Sequence, residues 1–492
     1  MRGYTLLALL LPIALVVYGA QFFGWLNDDA LNYLRLAEHV AAGKGLSIRP
    51  SWREHSYWAV FPAGYPLAIA LFNLFIGDVL LASKLLNGVL LLASIGLAAR
   101  AMRLPILLVA SLFFTGWVFE IVSYSWSENL FIFALILSLY CLLRYLEQGG
   151  WLILVGFALG MILMFTARYI GGFTLAAFAM VIWGYQGHFS KARLLHAAAA
   201  MFGCVGLFIT YLLLNYYFTG HMTGLDRRAP SESPLWIVEQ FFRMVFYSLS
   251  MLLPPLWLLA LYGAKPKRIK LYDYPLAWAP IVIGMGYLAI LELLRLTSHF
   301  EQPSGRLMAP AMLLVWLGVL HVFWYGFSHK PHARSAALLL LATASMNIAY
   351  LYKDVIYNPY IPTLQNRKVG MIKFNRNYGM VQEGSVILAA AYLNPNVSWH
   401  MIGPHISSDT IFYALIEEDP SLADLRGWLA GLRYQGKPPV QYWFDFRDFA
   451  TIDSFKREAS NRKLNKSLVD WMATYFKPRT LVLCPECYKP KP

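Results

Sequence analysis

The 492-residue sequence predicts an α-helical polytopic membrane protein of about eleven transmembrane helices, closed by a C-terminal extracytoplasmic α/β domain. Three observations predict it. Hydrophobic residues make up 58% of the chain and charged residues only 14%, whereas a soluble domain carries nearer a quarter charged. Apolar runs of about twenty residues, the length that crosses a bilayer, recur along the first 352 positions. Charge then crowds into the tail, where residues 353–492 hold 31 of the 68 Lys, Arg, Asp and Glu residues.

The runs fall near 4–24, 79–99, 105–123, 128–146, 151–167, 169–186, 194–218, 241–263, 275–295, 306–327 and 336–352. Every second loop is basic, through Arg100/Arg103, Arg144, Lys191/Arg193, Lys265 to Lys270 and Lys330/Arg334. The positive-inside rule makes those loops cytoplasmic, the N-terminus internal and the tail external. An odd number of spans agrees with that. The net charge of +14 thus reflects orientation and gives no argument for nucleic acid. The first run also reads as a secretory signal, with Arg2, a short apolar core and the residues VYGA. Because apolar character continues through Phe22, Phe23 and Trp25, an uncleaved signal-anchor is expected. Either reading leaves Asp28 and Asp29 outside the cytoplasm.

The first external loop, 25–78, contains two helical patterns. Residues 30–42 place Leu31, Leu34, Ala37, Val40 and Ala41 at helical spacing with Arg35, Glu38 and His39 between them, an amphipathic helix suited to the membrane surface. FPAGYPLAIALFNLFIG (61–77) is short and opens with Pro62 and Pro66, and spanning would invert every later loop. It reads as an interfacial or re-entrant helix. In the tail, 385–392 and 480–485 read as buried strands, and 420–436 and the segment around Phe455–Tyr475 as helices. The expected domains are therefore 1–352 and 353–492, with no internal repeat.

Two of the four cysteines, Cys141 and Cys204, lie in apolar runs, and Cys484 and Cys487 form a CPEC near the C-terminus. With no second CxxC or HxxxH to complete a zinc site, a tail disulfide or two free thiols is expected. Ionisable groups at the ends of spans are costly and become candidates for function. Asp28-Asp29 after the first span, and Glu128 after SYSWS, are such groups. Each also has a structural reading: Asp as an N-cap for the 30–42 helix, and Glu128 as a complement to the helix dipole with Ser127 as cap.

Several motifs follow one another in order: Asp28-Asp29, Gly43-Lys44-Gly45, Pro62-Ala63-Gly64-Tyr65-Pro66, Gly77-Asp78, YSWSENLFIFALILSLYCLLRYLE, GFALGMILMFTARYIG and SGRLMAPAMLLVW. The series resembles the GT-C superfamily of membrane glycosyltransferases. It is most similar to the branch holding protein O-mannosyltransferases and bacterial lipid A aminoarabinose transferases. The likeness covers residues 1–180 well, 295–330 less closely and the tail only by position.

The resemblance implies inverting transfer of a sugar from a polyprenyl-phosphate donor to a glycolipid, protein or wall-polymer acceptor on the outer face of the cytoplasmic membrane. Asp28, as the first of the acidic pair, would be the base, with Asp29 beside it and Glu128 positioning acceptor or cation. The departing lipid phosphate asks for external cations: Arg168, Arg306, His299, Lys84 and Arg53 are the candidates. Either arginine could instead snorkel at a helix end. The relatives carry a Lys just before the AGYW segment, where this chain has Ala59, Val60 and Phe61. The acidic pair together with Glu128 could hold Mg²⁺ or Mn²⁺, and the sequence leaves metal dependence open. The loops carrying Asp28 and Glu128 are expected to meet over one external cavity. The reading from another class is a transporter or flippase for a lipid-linked or anionic substrate, against which stands the lack of repeats.

Overall fold

The computed structural model describes residues 28–48, 56–113, 115–224, 230, 232–246, 275–298, 304–326, 385–389, 411–415, 422–431, 441–446, 449–461, 465–478 and 480–488. The expected spans 4–24 and 336–352 and most of 241–263 lie outside these residues, as do Arg53 and His299. The chain forms two compact units, 1–20 with 59–359, and 21–58 with 360–492.

The first unit is helical. Its elements are α2 (Gly64–Ile76), α3 (Val79–Met102), α4 (Ile106–Leu112), α5 (Gly116–Ser123), α6 (Glu128–Gln148), α7 (Trp151–Ala167), α8 (Ile170–Gly184), α9 (Lys191–Thr219), α10 (Pro275–Thr297) and α11 (Gly305–Gly326), numbered after α1 of the second unit, with a further helical stretch at 234–246. Among the described residues, five helices are long and apolar enough to cross a membrane: α3, α6, α9, α10 and α11. Three shorter ones, α2, α7 and α8, are also apolar. Leu71, Phe75, Trp151, Trp183, Phe202 and Leu213 stand exposed on them, as lipid-facing side chains do. The protein is an integral membrane protein.

One expected span takes a different form. Within the run 105–123 lie two helices, α4 ending at Leu112 and α5 beginning at Gly116. Gly116, a poor helix-interior residue, stands at the break. Local chemistry also explains the Gly77-Asp78 motif. Gly77 ends α2 in the left-handed conformation at φ 75°, which glycine adopts without steric cost. Asp78 then caps α3, its carboxylate accepting from the Leu81 amide at 2.8 Å. The motif is a stop followed directly by a start, and it folds α2 back against α3.

In the second unit, α1 (Asp28–Ala41) is followed by a small antiparallel pair, β1 (Ser47–Ile48) and β2 (Ser56–Tyr57). The helix begins at the acidic pair itself, so Asp28 and Asp29 are its first two residues. The C-terminal residues form β3 (Ser385–Ala389), β4 (Ile411–Leu415), α12 (Leu422–Gly431), β5 (Tyr442–Asp445), α13 (Ile452–Asn461), α14 (Lys466–Ala473) and β6 (Leu481–Leu483). The sheet order is β4-β3-β5-β6, with β3 parallel to both β4 and β5 and with β6 antiparallel. Both expected strands are present. The expected helix around 455–475 is split into α13 and α14, and Asn465 caps the second by accepting from the Ser467 amide at 2.9 Å. Phe444, Phe446, Phe455, Leu468 and Met472 form the core of this part. Cys484 and Cys487 are joined by a disulfide. Burial and the Glu486 carboxylate hold the Tyr475 phenol above its ordinary range.

Candidate active site

The site is built where α6 and α11 begin and α7 ends. SYSWSEN sets the entry to α6. Asn87 on α3 donates to the carbonyls of Val122 and Tyr124 at 3.0 and 2.8 Å. Ser83, one residue before Lys84, bonds Ser125 at 2.7 Å. Asn129 donates to the carbonyls of Ile121 and Trp126 at 2.7 and 3.1 Å. These polar side chains are buried in an otherwise apolar helical unit; the two asparagines satisfy carbonyls that the turn would leave bare, and the serine pair ties its side chain to α3. They fix the 122–127 turn and hence the direction of Glu128. Ser127 makes no side-chain cap bond, contrary to the expected capping role; its buried backbone is already helical, which removes the extended geometry that a capping side chain needs.

Glu128 is 2% exposed. Its Oε1 forms ion pairs with Arg168 Nη1 and, at 2.8 Å, with Arg306 Nε. The Arg306 guanidinium also lies over the Trp126 ring, 4.4 Å from its centroid, a favourable cation–π placement. Trp126 stacks in turn on Tyr124. Three of the residues picked out by sequence, Glu128, Arg168 and Arg306, are thus brought together from segments 40 and 178 positions apart. One carboxylate and two guanidinium groups leave one net positive charge, a setting in which an anion is favoured.

Arg168 and Arg306 are held by close backbone packing. Arg168 is the extended residue between α7 and α8, with φ −148° and ψ 134°. A side chain at Gly171 would come within 2.4 Å of the Met164 carbonyl oxygen, so the YIGG sequence lets the two helices close on that turn. Tyr169, the next residue, faces another way. Its hydroxyl donates to the Ala59 carbonyl and receives Asn215 Nδ2 at 2.9 Å. The neighbouring Tyr211 hydroxyl accepts from the Ala63 amide at 3.0 Å. TARYIGG therefore does two things: the arginine joins Glu128, and the tyrosine ties down the segment before PAGYP. At α11, a Cβ on Gly305 would strike the Trp117 ring at 2.4 Å, which explains why Gly precedes Arg306.

Asp28 and Asp29 stand in α1 of the second unit, with Asp29 half-buried. Lys84 is half-buried in the second turn of α3. Among the described residues no three His, Cys, Asp or Glu side chains gather as a metal site. Trp126, Asn87 and Tyr169 were not singled out by the sequence reading. Their signal was polarity or aromaticity inside apolar runs, immediately beside a charged candidate.

The fold of this chain is shared with a solved structure. Among solved structures the chain is similar to ArnT from Cupriavidus metallidurans bound to undecaprenyl phosphate, with a TM-score of 0.50 and 13% identity over 77% of this chain and 69% of that one. It also matches the arabinofuranosyltransferase AftD from Mycobacteria at a TM-score of 0.43 and 15% identity, over 79% of this chain but only 29% of that one. No protein-family model and no curated protein sequence matches it.

Proposed function

We propose that the protein is a glycosyltransferase that takes a sugar from a polyprenyl-phosphate donor and passes it to an acceptor on the outer face of the cytoplasmic membrane. The observation that carries this reading is the buried Glu128–Arg168–Arg306 cluster in a chain that shares the fold of ArnT, a protein seen with undecaprenyl phosphate. In this reading the two arginines face the donor phosphate. Glu128 keeps both guanidinium groups oriented before the donor arrives, so that little reorganisation is needed as charge builds on the leaving oxygen. Asp28, which the motif order marks as the base, takes the acceptor's proton. The acceptor oxygen bonds to the anomeric carbon on the face opposite the phosphate, the bond from that carbon to the phosphate oxygen breaks, and the configuration inverts. Polyprenyl phosphate leaves with its electron pair against Arg168 and Arg306. The active-site domain is residues 1–352, and the tail stands outside the membrane.

The test uses detergent-purified protein and a panel of synthetic undecaprenyl-phosphate sugars. Release of undecaprenyl phosphate is expected from wild type and its loss from Asp28→Asn and Arg306→Gln at equal expression. Full activity in both variants would refute the assignment, and failure to bind any lipid-phosphate sugar would move the weight to transport.

A further inference from the structure

Two helical turns beyond Tyr287, α10 carries charges that the cluster above does not use. Arg295 is 1% exposed, within a helix apolar enough to span a membrane. Its Nη2 lies 2.7 Å from Glu232 Oε1, yet its Nε and Nη1 are buried with no hydrogen-bond partner among the described residues. One turn back on the same helix, both carboxylate oxygens of Glu292 are buried and, among the described residues, also lack a hydrogen-bond partner. Unmet donors on one residue and unmet acceptors three positions away are costly in an apolar helix, and such groups mark a site whose ligand completes the bonding.

Charge decides the ligand's class. Glu232, Glu292 and Arg295 leave one net negative charge, so an added anion is disfavoured, and a simple cation would meet the unused guanidinium donors. A neutral polyhydroxyl compound suits both halves: one hydroxyl donates to Glu292 while its neighbour accepts from Arg295. Position decides which part of the reaction it serves. The Tyr287 hydroxyl donates to the Leu307 carbonyl at 3.0 Å, one residue from Arg306, and its ring packs on Phe131. Tyr287 therefore marks the level of the charge cluster. Arg295 is eight residues further along, about 12 Å at the helical rise, which is more than the width of one sugar ring.

We propose that Glu292 and Arg295 form a carbohydrate subsite that grips adjacent hydroxyls of a glycan acceptor, a sugar unit or more away from the reacting centre. This rests on the glycosyltransfer reading and narrows its acceptor to an oligosaccharide. The test is equilibrium binding of neutral mannan, glucan and arabinan hexasaccharides to the full-length protein in detergent, followed by saturation-transfer NMR. Wild type is expected to bind at least one of them, and Glu292→Ala to weaken that binding about tenfold or more, the effect of losing a hydrogen bond to a charged group. Arg295→Gln should do the same. Should that variant not fold, Glu292→Ala still decides, because it leaves the Arg295–Glu232 pair in place. Binding of none of the three glycans, equal binding by Glu292→Ala, or displacement of the glycan by inorganic phosphate would overturn the proposal. Undecaprenyl phosphate binding by wild type is measured alongside. Its absence in a protein that binds glycan would refute the donor reading and leave the subsite standing.

Discussion

Helix α6 carries a glutamate near each end, and the two are treated in opposite ways. Glu128, its first residue, is 2% exposed and meets Arg168 and Arg306, which are 13% exposed and come from two other parts of the unit. Glu147, its next-to-last residue, is 21% exposed and pairs with Arg103 at 56% and, one turn away, with Arg144 at 35%. At the second end, cations have a structural purpose. A carboxylate at a helix C-terminus opposes the dipole, and Arg193 Nη1 donates to the carbonyls of Leu146 and Glu147 at 2.9 and 2.6 Å. At the first end the dipole already favours Glu128, so two buried arginines exceed what the helix needs. Identical residue types thus make a fastening at one end and a charged site at the other. Burial, together with the excess of positive charge, separates the two.

Removing the Glu128 charge should break this contrast most sharply. Glu128→Gln keeps the shape but leaves Arg168 and Arg306 without their anion, and losing one partner of a buried ion pair costs about 3–5 kcal/mol. Thermal unfolding in detergent should show a large loss, and sugar transfer should fall about a hundredfold or more. Glu128→Asp should recover part of the stability, since it restores the charge. If Glu128→Gln and Glu147→Gln lose equal stability, burial is not what distinguishes the two ends.

Arg306→Lys is the intermediate case. Lysine keeps the charge but gives up the planar fork and the fit over Trp126. A cation–π contact is worth about 0.5–2 kcal/mol, so undecaprenyl phosphate binding should weaken by roughly tenfold while the protein remains folded. Unchanged binding would show that charge alone matters at this end, as it does at the other.

The residues of the cluster were legible in the sequence one at a time and not as a group. Glu128, Arg168 and Arg306 each stand at the edge of an apolar run, where a charge is conspicuous. Nothing local says that residues 128, 168 and 306 meet, because that follows from how α6, α7 and α11 pack. Trp126 shows the same limit: an aromatic beside a span is ordinary until a guanidinium lies over it. Among the elements, α6 and α3 match their apolar runs closely, because length and hydropathy define them. The break between α4 and α5 was not visible, since a run of apolar residues has the same composition whether it is straight or bent. Arg295 and Glu292 carry no motif that marks them in the sequence, and their unmet hydrogen bonds exist only in three dimensions.

The smallest effect is expected where the pairs are exposed. Arg103 ends α3 in the left-handed conformation at φ 53°, its carbonyl accepts from the Tyr325 hydroxyl at 2.7 Å, and its side chain reaches Glu147. Since the Tyr325 bond uses only the backbone, Arg103→Gly keeps it and relieves the positive φ while deleting the ion pair. Exposed pairs contribute about 0–1 kcal/mol, and placing glycine at a left-handed position gains a similar amount. The two should nearly cancel, leaving unfolding within about 1 kcal/mol of wild type and transfer unchanged. A loss as large as that of Glu128→Gln would mean that the Glu147 end, despite its exposure, is as strongly coupled as the buried one.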